Sequence, residues 1–368
     1  MALDIRKIKI KYTDMKRNYR NIITAIMIII LIMPLSGLKA GNEDRTGESG
    51  ASELLINPWA RGSGWGSVNV ASARGLEAMF TNIAGTAFTK RTEIIFAHTQ
   101  WLKGSDININ AFGFTQKVGE TGVLGLGIMS MTFGEIEITT VDQPEGGVGT
   151  FSPNLLNIGV SYAKMFSKSI YGGINFKIIS ESISDATAQG LAIDAGIQYV
   201  TGKTDNVKFG ISLKNVGTKM KFSGDGLSFR GFVPGSDDSR TVQQRSAAFE
   251  LPSLLNIGFA YDFTISEKHT LTAAGNFTSN SFSKDQYIVG LEYSFMSYLM
   301  LRAGYTYQDG ILESSVFDRG TALAGPSAGF TVEVPLNKER GTTFSIDYSY
   351  RSTEPFDGTH TIGARINL

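Results

Sequence analysis

Residues 189–218, QGLAIDAGIQYVTGKTDNVKFGISLKNVGT, decide the fold. They hold two runs, 189–200 and 206–218, in which apolar positions alternate with small or polar ones. Thr201 to Asn206 joins the runs tightly, and a long interruption, Lys219 to Leu251, follows. Alternation with a period of two gives a strand one apolar and one polar face. The unit recurs from about Arg91 to Leu368, as expected of a closed, membrane-spanning β-barrel.

Working outward, strands are predicted at Glu93–Leu102, Ile107–Gln116 and Val123–Thr139, the last with a bulge near Gly134. Others fall near 154–166, 169–181, 252–264, 269–279, 285–295, 298–308, 328–336, 342–351 and 359–368. The total is about 14, an even number, as bacterial single-chain barrels have. The connections sort by side. Residues 117–122, 166–168, 201–206, 266–268, 296–297 and 336–341 make one short set. The other set holds the long ones: Val141–Pro153, Glu181–Ala188, Lys219–Leu251 and Asp309–Pro326. Short periplasmic turns opposite long extracellular loops are a barrel's asymmetry, and a soluble sandwich has no reason to sort its loops this way. The expected fold is therefore all-β, a transmembrane antiparallel barrel. In the last strand, Ile362, Ala364, Ile366 and Leu368 alternate with Gly363, Arg365 and Asn367, one face suited to lipid and the other polar.

Composition agrees. Charged residues are 18% of the chain, against roughly 25% in soluble domains. A net charge of zero gives no reason to expect nucleic-acid binding. The absence of Cys excludes disulfides and Cys-ligated metals. At the N-terminus, Lys16, Arg17 and Arg20 precede the apolar run Ile22–Met33, too short for a helical span of about 20 residues. Residues 1–40 read as a signal peptide cleaved after Ala40, with Met1 or Met15 as the start. Residues 41–53 read as a flexible N-terminus, 54–90 as a segment at or in the barrel mouth, and 91–368 as an outer-membrane barrel. Val70–Phe80 has the composition of a short helix.

No catalytic, cofactor-binding or metal site is expected. His98, His269 and His360 are widely separated and suit rim packing. Gly62-Ser63-Gly64-Trp65-Gly66 lacks the Lys-Ser/Thr ending of a phosphate loop. Gly125, Gly127, Gly159, Gly172, Gly173, Gly196 and Gly210 are strand glycines that permit curvature or close approach of an inserted segment. Trp101, Phe133, Tyr171, Tyr199 and Tyr305 are among the aromatics expected at the membrane interfaces. Residues 154–162 echo 253–261, through duplication or through the limited alphabet of lipid-facing strands. Apolar residues in the long loops, Phe222, Leu227, Phe229, Phe232, Phe249, Ile311 and Phe317, are the candidate partner-binding residues.

Several stretches resemble the PorV/PorQ family of outer-membrane proteins. They are Ala60-Arg61-Gly62, Val70-Ala71 through Ala78-Met79-Phe80-Thr81-Asn82-Ile83-Ala84-Gly85, and Leu126-Gly127-Ile128 through Phe133-Gly134-Glu135-Ile136. Phe249-Glu250-Leu251-Pro252-Ser253 and Gly358–Gly363 complete the set. Ile83 stands where that family usually has Pro. The resemblance implies a FadL-like barrel of 14 strands with an N-terminal segment in the lumen. It also implies a non-enzymatic role in type IX protein secretion, with secretion-system proteins or secreted cargo as partners beside outer-membrane lipid. The alternative function, by fold analogy, is transport of a hydrophobic small molecule.

Overall fold

The computed structural model describes residues 41–368 except Val233, Pro234, Ser236, Asp237, Ser314, Val316, Phe317 and Asp318. The signal-peptide reading of 1–40 and the candidate Phe317 lie outside the described residues.

Fourteen strands close a barrel in sequence order. They are β1 Thr92–Trp101, β2 Ile107–Val118, β3 Gly122–Thr132, β4 Asn154–Met165, β5 Ile170–Ile183, β6 Ala186–Thr201 and β7 Val207–Gly217. Then come β8 Leu254–Ser266, β9 His269–Asn280, β10 Gln286–Phe295, β11 Leu299–Gln308, β12 Gly325–Asn337, β13 Thr342–Arg351 and β14 Thr359–Asn367. Every pairing is antiparallel. Closure runs from Glu93↔Asn367 to Gln100↔His360, so the last strand leaves no open edge against the first. The outward alternates are apolar, with Leu191 58% and Val289 61% exposed. Such positions would be costly in water and are suited to hydrocarbon. Among the described residues no helix is long and apolar enough to cross a membrane.

Two strand expectations are corrected. The strand expected over Val123–Thr139 stops at Thr132, because Gly134 turns at φ +72° and Ile136–Glu137 pairs with Thr150–Phe151 in a separate hairpin. The loop expected over Glu181–Ala188 is a tight turn of Ser184-Asp185, since β5 and β6 pair as far as Ile183↔Ala186.

Residues 41–90 fill the lumen as a plug. Residues 41–53, expected to be flexible, are held at the long-loop end: Asn42 N donates to Asn280 O (3.2 Å) and Gly50 N to Glu250 O (3.0 Å). From there the chain passes down the lumen to Arg91, whose carbonyl accepts from Lys117 N at the short-turn end (2.8 Å). Trp59, Leu76, Met79 and Ile83 pack on Ile95, Ala97 and Ala111, while Trp65, Val68 and Ala71 pack on Ala260, Ala274 and Ile288.

The helix expected over Val70–Phe80 is reduced to Ala78–Thr81. Its peptide groups are taken by the wall instead. Leu76 N donates to Glu93 Oε2 (2.8 Å), and Gln198 Nε2 donates to the carbonyls of Val70 (3.0 Å) and Ala73 (3.1 Å). Gly75 turns here at φ +74°, and a Cβ would lie 2.1 Å from Glu93 Oε2.

Candidate functional site in the lumen

The plug rests on inward glycines. Gly210 pairs with Gly258, and Gly290 with Gly304. An added Cβ would come within 2.4 Å of Val70 O at Gly210, 2.8 Å of Val68 Cγ1 at Gly290 and 2.4 Å of the Trp65 carbonyl at Gly304. Gly125, Gly173 and Gly196 meet Met79, Ile83 and Asn82 in the same way. Gly172 differs: its added Cβ would meet Phe166, not the plug. The missing side chains make room for a second layer of backbone inside the wall.

At the short-turn end, charges pair along the inner wall and, through Arg61 and Glu292, join plug to wall. Arg365 bonds both carboxylate oxygens of Asp347 (2.9 and 2.8 Å) and lies 3.9 Å from Glu93. Arg302 Nε meets Glu292 at 2.5 Å. From the plug, Arg61 lies 3.5 Å from Glu77 and 3.7 Å from Glu292. Glu77, Glu93, Asp347, Arg302 and Arg365 are buried and Arg61 partly so, and a buried carboxylate without its cation is strongly unfavourable.

Above the plug lies a cavity of about 430 Å³. Its floor is Phe80, Val70 and Lys214; β8 to β11 supply Asn256, Thr278, Asn280, Gln286 and Gln308, and the loops near Leu323 and Phe356 form its upper edge. Gln286 Nε2 donates to Gln308 Oε1 (2.9 Å) and Thr278 Oγ1 to Asn256 Oδ1 (2.7 Å). A smaller cavity of about 60 Å³ lies beyond, lined by Trp59, Met79 and Gly127. Phe80 and Lys214 border both.

Lys214 shares the inward parity of Lys208, Gly210 and Ser212, and a β-bulge turns its neighbour Asn215 inward as well. The β6–β7 register shifts between Ile193 and Ala195, so that Lys214 and Asn215 together oppose Asp194. Leu213 and Val216 face outward on either side. Asn215, at φ +59°, donates its N–H to Asp194 (2.8 Å) and accepts from Lys177, which pairs with Asp194 at 2.7 Å. Asp194 is thereby occupied. Lys214 Nζ sits 3.5 Å over the Phe80 ring and, among the described residues, makes no ion pair or hydrogen bond. The sequence signal was the spacing of the outward residues Phe209, Ile211, Leu213 and Val216, whose last step of three breaks the period of two.

The loop residues chosen from sequence lie elsewhere. Phe222 and Phe249 (ring centroids 5.9 Å apart) pack on the mouth cluster of Leu54, Ile179, Met220 and Leu251. In the hairpin Ser228–Phe232/Ser239–Gln243, Phe229 is 54% and Phe232 76% exposed; Leu227, just before it, is half-buried. Ile311 is buried. None of these six lines either cavity. Trp101 and Tyr171, expected at the interfaces, point inward: Trp101 packs with Ile109 and Met129, and Tyr171 against Phe88 (4.0 Å). Phe133 joins the same cluster as Trp101. His269 Nδ1 meets Tyr293 Oη at 2.5 Å and His360 Nδ1 meets Tyr348 Oη at 2.8 Å. Beside the mouth cluster, burial and then the neighbouring charge of Glu181 push the Glu53 carboxyl up to about 7.

Fold and lumen together define a plugged, transmembrane β-barrel. Solved structures with the same architecture include two toluene transporters. TodX of Pseudomonas putida is 13% identical, over 84% of this chain and 97% of that one, with a TM-score of 0.54. TbuX of Ralstonia pickettii is 12% identical over the same shares, with a TM-score of 0.50. At such identity the likeness is one of fold. No protein-family model and no curated protein matches the chain, so the PorV/PorQ resemblance rests on the quoted residues alone.

Proposed function

We propose that the protein is a non-enzymatic outer-membrane barrel that admits a small, largely apolar molecule through its long-loop mouth. The observation carrying this reading is the cavity of about 430 Å³ between mouth and plug, which lies in the size range of small-molecule sites. Phe80 and Val70 in its floor suit a ligand with an apolar body, and the amides on one side offer it hydrogen bonds. The fold shared with two toluene transporters supports the same reading. Toluene is accordingly the first probe. Cells producing the chain should accumulate it faster than cells without it, and Thr278→Trp, which narrows the cavity, should slow uptake with the barrel still folded. Uptake that Thr278→Trp leaves unchanged would contradict this reading.

A second reading, binding of secreted cargo or secretion-system proteins, is favoured by the exposure of Phe229 and Phe232 on the loop hairpin. On this reading Phe222, Leu227, Phe249, Ile311 and Phe317 belong to the loops that support the contact. Deleting 223–245 should abolish co-purification of a partner without unfolding the barrel. Undiminished co-purification counts against the loop as the docking element.

A further inference from the structure

We infer that the mouth cavity is selective for a compact carboxylate that also carries hydroxyl or amide groups, with Lys214 as the residue that receives the carboxylate. The inference rests on the small-molecule reading above and narrows its ligand class.

Lys214 is 6% exposed, yet it borders both cavities and lacks an anionic partner among the described residues. A buried cation without compensation is unfavourable unless something supplies the opposite charge. The bulge makes the lack of compensation specific. A regular β7 would send Lys214 and Asn215 to opposite faces; the extra residue turns both inward, and Asn215 takes the hydrogen bonds of Asp194 and Lys177. The nearest acid is spent on its neighbours, and the lysine is left facing open space.

The wall adds the second requirement. Asn256, Thr278, Asn280, Gln286 and Gln308 line one side of the cavity. Their mutual bonds use only part of their capacity: Gln286 Oε1 and Gln308 Nε2 have no partner among the described residues. An unbranched alkyl chain laid against them would strip water from amides without replacing its hydrogen bonds. A hydroxylated or amide-bearing ligand replaces them. Phe80, Leu254 and Ile288 leave room for a ring between the two polar regions.

The test uses the purified full chain and four probes: hippurate, its methyl ester, decanoate and toluene, titrated calorimetrically. Hippurate joins a ring, an amide and a carboxylate, and the ester removes only the charge. Wild-type protein should bind hippurate at least about ten-fold tighter than the ester, the discrimination of one charge-assisted hydrogen bond. It should also prefer hippurate to decanoate. Lys214→Met should bind acid and ester alike, and Lys214→Arg should keep the preference for the acid. Thr278→Val leaves the cation in place and gives an independent reading: an intact acid-over-ester ratio with a preference over decanoate reduced by about three-fold. Equal binding of acid and ester by the wild type, tightest binding of decanoate, or an undiminished acid preference in Lys214→Met would overturn the assignment. Toluene uptake with no carboxylate preference would sink this inference and leave the broader function standing; loss of all binding and uptake would sink both.

Discussion

At the short-turn end of the lumen, Arg61, Arg302 and Arg365 are matched by Glu77, Glu93, Glu292 and Asp347 at 2.5–3.9 Å. Near the mouth, Lys214 meets only an aromatic face, and Arg351 donates to the carbonyl of Leu323 (2.8 Å) without an acid in ion-pair range among the described residues. Both regions hold buried cations on inward strand positions, so burial alone does not separate them. Compensation does. The matched charges link neighbouring strands and, through Arg61 and Glu292, plug to barrel, whereas Lys214 has capacity left for a ligand.

The most severe way to break the comparison is to remove a matched cation. Arg365→Leu strands Asp347 and Glu93 and should cost about 3–5 kcal/mol in urea unfolding from lipid vesicles, whereas Asp347→Leu/Arg365→Leu should recover much of that loss. Next comes the seat of the plug. Gly304→Ala puts a methyl group against the Trp65 backbone and should cost about 1–3 kcal/mol, with faster hydrogen exchange over 60–70. Gly275→Ala, whose Cβ has its nearest neighbour at 3.9 Å, is the control and should leave exchange unchanged.

Removing the unmatched cation should have the opposite sign. Lys214→Met takes away a buried charge with nothing to replace and should stabilise the barrel by about 1 kcal/mol in the same urea assay. A loss as large as that of Arg365→Leu would erase the distinction between the two regions.

The smallest effect concerns pH at the mouth. Glu53 titrates near 7 in the folded chain, above its ordinary value of 4.5, because burial and then the Glu181 charge disfavour its ionised form. Its contribution is thus complete below about pH 4.5 and lost as pH rises through about 7. Residues 41–57 should resist proteolysis better at pH 5 than at pH 8. Glu53→Gln should flatten that difference; an unaltered pH dependence would assign it to another group.

Much of the barrel was legible because lipid imposes the period of two on nearly every outward residue, from Leu191 and Ile193 to Ile362. Most strand ends followed from turn chemistry; the exceptions are Ser184-Asp185, a turn too short to separate from its flanking strands, and Gly134, which ends its strand where a bulge was expected. The plug was not legible as a conformation. Composition favours a helix over Val70–Phe80, but Glu93 and Gln198 satisfy its backbone from more than 15 residues away in sequence, which local propensity does not register. Trp101 was assigned to the interface because it is aromatic and near a strand end, although it shares parity with the inward Ile95, Ala97 and Thr99. The cavity was missed for a related reason. The apolar loop residues give no sign of it, because its lining groups are polar residues on strands, and Asn215, turned inward by the bulge, occupies Asp194 beside Lys214.

The plug closes the mouth cavity from below. The chain has no cysteine, so single cysteines report cleanly. A membrane-impermeant maleimide applied to intact cells should modify Gln308→Cys in the cavity. It should spare Ser345→Cys, beneath the plug, and Val289→Cys, on the lipid face. Equal labelling of Gln308→Cys and Ser345→Cys would mean an open pore and contradict the account, as would a Gln308→Cys that does not react.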